Sequence, residues 1–196
     1  MTAATVVIGQ NVNTEIPDNN DTGLVSIIPF VGSDPAVAKV EVIIETTGGW
    51  NGDLYAYLEH NGVISVLLNR PGNSAANPVG AASSGMSIRF TDTALADIHT
   101  AISDTAGAPA VGTYQADGRN VDPDSVTDAS PRSKDLGGFN GSDPNGLWTL
   151  FIADVSGGEI AEFKSWSLAI TTVPEPSSSL LVLLGTAGLL GLKRRR

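Results

Sequence analysis

The chain has 196 residues, no cysteine, 22 glycines, 11 prolines and a formal net charge of -10. That length suits one domain with a tail, and the missing cysteine excludes disulfides, thiolate metal sites and a cysteine nucleophile. The acidic balance excludes nucleic acid as a partner, because phosphate binding needs Lys and Arg to displace counterions.

Residues 1–13 read as an N-terminal segment. Met1 to Gly9 has no basic n-region and no apolar stretch long enough for a secretion signal. A start further upstream, or a fragment of a longer chain, is therefore expected. Residues 14–172 read as strands punctuated by turns. Ala36 to Glu45 alternates, with Ala38, Val40, Val42 and Ile44 on one face and Lys39, Glu41 and Glu45 on the other. Leu54, Ala56 and Leu58 alternate against Tyr55, Tyr57 and Glu59. His60-Asn61-Gly62 is a tight-turn signal, since Asn-Gly takes the positive φ of hairpin turns. Val63 to Leu68 returns as the second strand of that hairpin, with His60 expected as a solvated turn residue. Met86, Ile88 and Phe90 alternate again. A short helix is predicted over Thr93–Ile102, with Asp92 as N-cap, and His99 on it as a surface or half-buried residue. Gly107 to Pro144 reads mainly as long loops. Trp148, Leu150 and Ile152 share a face, as do Trp166, Leu168 and Ile170, and both tryptophans are assigned to the core. Short strands with frequent Gly, Asn and Pro predict an all-β, antiparallel β-sandwich.

Three stretches resemble the P domain (P/Homo B) that follows the catalytic domain in kexin-like and subtilisin-like proteases. They are Gly52-Asp53-Leu54-Tyr55-Ala56-Tyr57-Leu58, Leu67-Leu68-Asn69-Arg70-Pro71-Gly72, and Asn145 to Asp154 followed by Ser165 to Ile170. The resemblance implies a jelly-roll sandwich of galactose-binding-like type. Asn51 stands where many members have Arg, and Met86 to Tyr114 departs from the eukaryotic pattern.

Residues 173–196 form the tail. Val173-Pro174-Glu175-Pro176 stops the preceding strand, because each proline fixes its own φ and restricts its neighbour. Leu180 to Leu192 is apolar, and Lys193-Arg194-Arg195-Arg196 closes the chain. As a short hydrophobic helix, Leu180 to Leu192 would span only about 20 Å, against a hydrocarbon core of about 30 Å. That suits a temporary transmembrane anchor with its basic end in the cytoplasm. Residues 174–196 hold four of the 11 basic residues and one of the 21 acidic ones, so the rest of the chain sits at -13. Motif, helix and basic cluster together resemble the PEP-CTERM sorting signal of Gram-negative bacteria. That resemblance implies recognition and cleavage by the membrane transpeptidase exosortase, a transient stay in the inner membrane, and release to the cell surface, exopolysaccharide or biofilm.

The available chemistry points away from catalysis. Only His60 and His99 could serve as a triad base, and no Gly-x-Ser-x-Gly or His-Glu-x-x-His occurs. The acids of the loops offer oxygen ligands of the kind calcium takes, or they serve solubility and Asx turns. For a structural calcium ion the chosen ligands are Asp53, Asp122, Asp124 and Asp154. Trp50, Tyr55 and Tyr57 offer an aromatic surface for a ligand, or pack against a neighbour. The expected protein is an exported, non-catalytic interaction or structural module of the cell surface or matrix, with exopolysaccharide or a surface protein as partner. The alternatives are an accessory module of a serine protease whose catalytic domain is not in this chain, and a carbohydrate-binding module.

Overall fold

The computed structural model describes residues 3–32 and 34–173. Nine strands form among them, in chain order β1 (Ala4–Glu15), β2 (Asn20–Phe30), β3 (Ala36–Trp50), β4 (Leu54–His60), β5 (Val63–Asn69), β6 (Ser84–Phe90), β7 (Ala110–Tyr114), β8 (Gly146–Asp154) and β9 (Ala161–Val173). They make two sheets, ordered β1-β9-β3-β6-β7 and β2-β8-β4-β5. Neighbouring strands are antiparallel, apart from β6 and β7, which run parallel. The all-β sandwich read from the sequence is present.

Period-2 patterning builds the core. Val40, Val42, Ile44, Ile88, Leu168 and Trp166 face inward from one sheet, and Leu54, Ala56, Leu58, Trp148, Leu150 and Ile152 from the other. Burying one such Leu or Ile side chain is worth about 1.5–3 kcal/mol. Each buried indole finds an acceptor: Trp148 Nε1 donates to Pro144 O at 3.0 Å and Trp166 Nε1 to Ser26 Oγ at 2.8 Å. A bulge in β9 opposite Glu45 and Thr46 shifts the alternation, so that both Phe163 and Trp166 point into the core.

The predicted hairpin forms with Asn61 at φ 51° and Gly62 at φ 79°, the positive pair that a tight turn needs. His60, however, is the last residue of β4 rather than a solvated turn residue. It continues the inward series Leu54, Ala56, Leu58 and is fully buried. Its ring stacks on Trp148 with centroids 3.9 Å apart and planes 2° apart. Its Nδ1 and Nε2 lie 2.9 and 2.7 Å from the carbonyl oxygens of Leu147 and Asp143.

The helix is shorter and later than predicted. α1 covers Ile98–Ala101 only, and its N-cap is Asp97, whose Oδ1 accepts from Thr100 N at 3.2 Å. Leu95 is fully exposed, so Thr93–Ala96 has no apolar face to hold a helix against the sheet. His99 is buried, not half-exposed. Further elements lay outside the sequence reading. The short strand β7 arises within the stretch read as loops. β1 runs through residue 14 and pairs with β9 from Ala4 to Glu15.

Candidate functional site

Glycine and aspartate at the start of β4 position the first group. Asn51–Asp53 form one 3₁₀ turn. A Cβ on Gly52 would lie 2.5 Å from Ala81 N and 2.6 Å from Gly80 C. Only glycine lets the Gly80-Ala81 backbone pass, and the turn is thereby pressed into the protein. Asp53 closes that turn, 2% exposed, and the end of β8 supplies Asp154, 0% exposed. Leu54 pairs with Asp154 across the sheet, and Val155 N donates to Asp53 O at 2.9 Å. The two acids are therefore diagonal neighbours. Ser156 N donates to Asp154 Oδ1 at 3.3 Å. The Oδ2 atoms of both Asp53 and Asp154 are buried and without a hydrogen-bond partner. Burial, eased by the Ser156 amide and aggravated by the charges of Asp53 and Asp18, pushes Asp154 up to about 6. Burial likewise raises Asp53, against the pull of the Arg70 charge and the Ser156 hydroxyl.

A second feature is a groove of about 460 Å³ on the outer face of the β2-β8-β4-β5 sheet, a size at which small-molecule sites occur. Tyr55 and Phe151 form its apolar wall, and Asp21, Asp122 and Asp124 its acidic rim. Tyr57 stacks on Phe151 at 5.0 Å, and Tyr55 meets both rings edge-on at 6.1 and 6.3 Å. Burial, with Tyr57 and the Asp117 charge, holds the Tyr55 hydroxyl above its ordinary range, so it remains a donor at neutral pH.

The four acids chosen as calcium ligands thus fall into two pairs. Asp53 and Asp154 are brought together inside. Asp122 and Asp124 are exposed on the groove, where Asp122 Oδ1 caps Asp124 N at 2.9 Å. Among the described residues no group of three or more His, Cys, Asp or Glu side chains is arranged to hold a metal ion. Trp50 stands apart from the tyrosines, beside Val79, Gly80, Ala81 and Ala82 and over Gly158. Phe151 and Asp18 were missed in the sequence. Phe151 is the outward partner in the Trp148, Leu150, Ile152 alternation, so the same pattern contains it.

His99 anchors a third, largely internal group, with Asp97 at its partly exposed edge. Its Nδ1 lies 2.8 Å from Asp117 Oδ2 and its Nε2 2.8 Å from Asn73 O. Arg119 Nη1 donates to Asp97 Oδ1 at 3.2 Å and to Asp117 Oδ1 at 3.3 Å. Burial opposes the charged imidazole, but the hydrogen bond and charge of Asp117 outweigh it and raise His99. This is half of a triad without its end. Nε2 meets a backbone carbonyl where a triad would place a nucleophile.

Val173, the first residue of the expected sorting signal, closes β9 opposite Ala36. Pro174, Glu175, Pro176, Lys193, Arg194, Arg195, Arg196 and the expected short helix lie outside the described residues. Among the described residues no helix is long and apolar enough to cross a membrane.

Residues 172–196 match the PEP-CTERM protein-sorting motif. That motif implies recognition by an exosortase, export, and membrane anchoring before processing. No curated protein matches the chain. Among solved structures, the chain is similar to one in the crystal structure of the Aeromonas sobria serine protease with its chaperone. That match has a TM-score of 0.51 and 15% identity over 88% of this chain. The crystal structure of the Aeromonas sobria serine protease alone gives 0.49 and 14% over 88%. This chain spans 27% and 28% of the lengths of those two chains. At that identity the likeness is one of fold: the sandwich is an architecture also found in part of a serine protease crystal structure, followed here by a sorting motif.

Proposed function

We propose that this chain is a non-catalytic β-sandwich module of the bacterial surface or extracellular matrix, held briefly in the inner membrane by its tail and cut free by an exosortase. The observation that carries the reading is the junction at Val173. The last core strand ends there, paired with Ala36, and the matched motif begins at residue 172. Cleavage beyond it would leave both sheets whole. The groove of Tyr55, Phe151, Asp21, Asp122 and Asp124 is the surface at which the module meets its partner, an exopolysaccharide or a surface protein. An aromatic wall with carboxylates at the rim suits a polyhydroxylated ligand. The full chain, behind a secretion signal, is expressed in an exosortase-bearing Gram-negative strain and in the same strain lacking the enzyme. A shorter species outside the first and a full-length species in the membrane of the second are expected. Identical full-length species in both contradict the reading.

A second reading is favoured by the shared sandwich. The module would sit beside a serine protease catalytic domain and stabilise it. That reading predicts that an added peptidase partner gains thermal stability from the module, and it fails if the two do not associate.

A further inference from the structure

We propose that Asp53 and Asp154 bind a calcium ion that ties the start of β4 to the end of β8. This inference is independent of the export reading. It stands on two carboxylate oxygens, Asp53 Oδ2 and Asp154 Oδ2, that are buried and unpartnered. A buried carboxylate without a partner is costly unless it is neutralised, hydrated or bound to a cation. Their backbones are adjacent and the charge of Asp53 bears on Asp154, so their costs compound. Asp154 has its other oxygen on the Ser156 amide, which fixes its orientation. The exposed Asp18, whose charge bears on both acids, accepts from Gly158 N at its Oδ1 at 3.1 Å.

The cationic side chain coupled to Asp53 among the described residues, Arg70, does not neutralise the pair. Arg70 Nε donates to Gly52 O at 3.3 Å, and among the described residues Arg70 forms no ion pair with either acid. A divalent cation matches the two charges. Calcium is the cation of choice, because it takes six to eight oxygens in all, binding carboxylates directly and filling its remaining positions with backbone oxygens and water in flexible geometry. Magnesium demands a stricter octahedron and keeps its waters. Zinc would want nitrogen or sulfur, and neither His60 nor His99 belongs to this group. The reading narrows the ligands expected from the sequence: the exposed Asp122 and Asp124 are not among them.

The full chain is stripped with EGTA and melted with EGTA or with 1 mM calcium chloride, in roughly the range that fills weak extracellular sites. Saturation well above Kd should raise Tm by roughly 5 °C for a domain of this size. Asp53→Asn and Asp154→Asn should remove that shift, while Asp122→Asn with Asp124→Asn should keep it. Calorimetric titration of the folded protein with calcium reads the same site without melting it, and should give one site in the wild type and none in either inner variant. Superimposable melts with and without calcium overturn the proposal. So does a shift that survives in Asp53→Asn and Asp154→Asn but vanishes in the Asp122 and Asp124 double variant.

Discussion

Buried polar residues decide most of what is particular about this sandwich, and they respond to pH in a direction that can be worked out. His99 has a raised pKa because Asp117 stabilises its charged form more than burial penalises it. Its contribution is therefore fully present below the unfolded value of about 6.5 and is lost as pH rises through the higher folded value. The stability of wild type over His99→Gln should shrink as pH rises above the unfolded value of about 6.5 and through the higher folded one. Below pH 6 the difference should be roughly 1–3 kcal/mol, the cost of leaving a buried charged partner unsatisfied. Denaturant titrations of both proteins at several pH values check it; a difference constant with pH would remove the charged His99–Asp117 pair from the account. The two histidines also mark how far the sequence could be read. His60 was legible in principle, because it falls on the inward parity of Leu54, Ala56 and Leu58, yet the Asn-Gly turn beside it carried the stronger local signal. His99 was not legible, because its partners Asp117 and Asn73 come from loops 18 and 26 residues away.

Strands were read well where one face is buried and poorly where none is. β3, β4, β6, β8 and β9 carry alternating apolar residues, and their order emerged from that pattern. β1 and β7 are edge strands whose residues are mostly exposed, so they carry no such alternation. Their pairing is set by the main chain of β9 and β6. The β9 bulge was hidden for a related reason: an extra residue breaks the very period by which strands are recognised. The Gly52-Asp53-Leu54 stretch has a physical basis in the turn before β4, since the Gly80-Ala81 backbone leaves no room for a side chain. Gly52→Ala should destabilise by roughly 1–3 kcal/mol, the range for overpacking a tight contact. Thermal melting should then show a Tm lower by several degrees. An unchanged Tm would mean that the Gly80-Ala81 segment yields freely, and with it the fixed setting of Asp53.

At the scale of the molecule, charge divides the chain into two objects. The portion before Pro174 carries -13 and the tail +3, which sum to the -10 of the whole. The tail was the most legible part of the sequence, since its three components stand in order within residues 173–196, and the match at 172–196 coincides with it. The candidate sites were less legible. The sequence supplied Asp53, Asp154, Tyr55 and Tyr57, but it could not say that Asp122 and Asp124 line a groove on the outer sheet while the other two acids lie inside. If Tyr55 forms the working wall of that groove, Tyr55→Ala should weaken binding to the proposed exopolysaccharide partner about tenfold, as loss of one stacking aromatic does. Affinity electrophoresis against exported polysaccharide reads this, and an unaltered mobility shift would move the interaction surface elsewhere.

The most direct measurement is the intact mass of the form found outside an exosortase-bearing cell. The account predicts a chain that ends within a few residues of Val173 and lacks Lys193 to Arg196, with the sandwich folded and the acidic body released from its basic tail. An exported species that still carries Leu180 to Arg196 at full mass would contradict it.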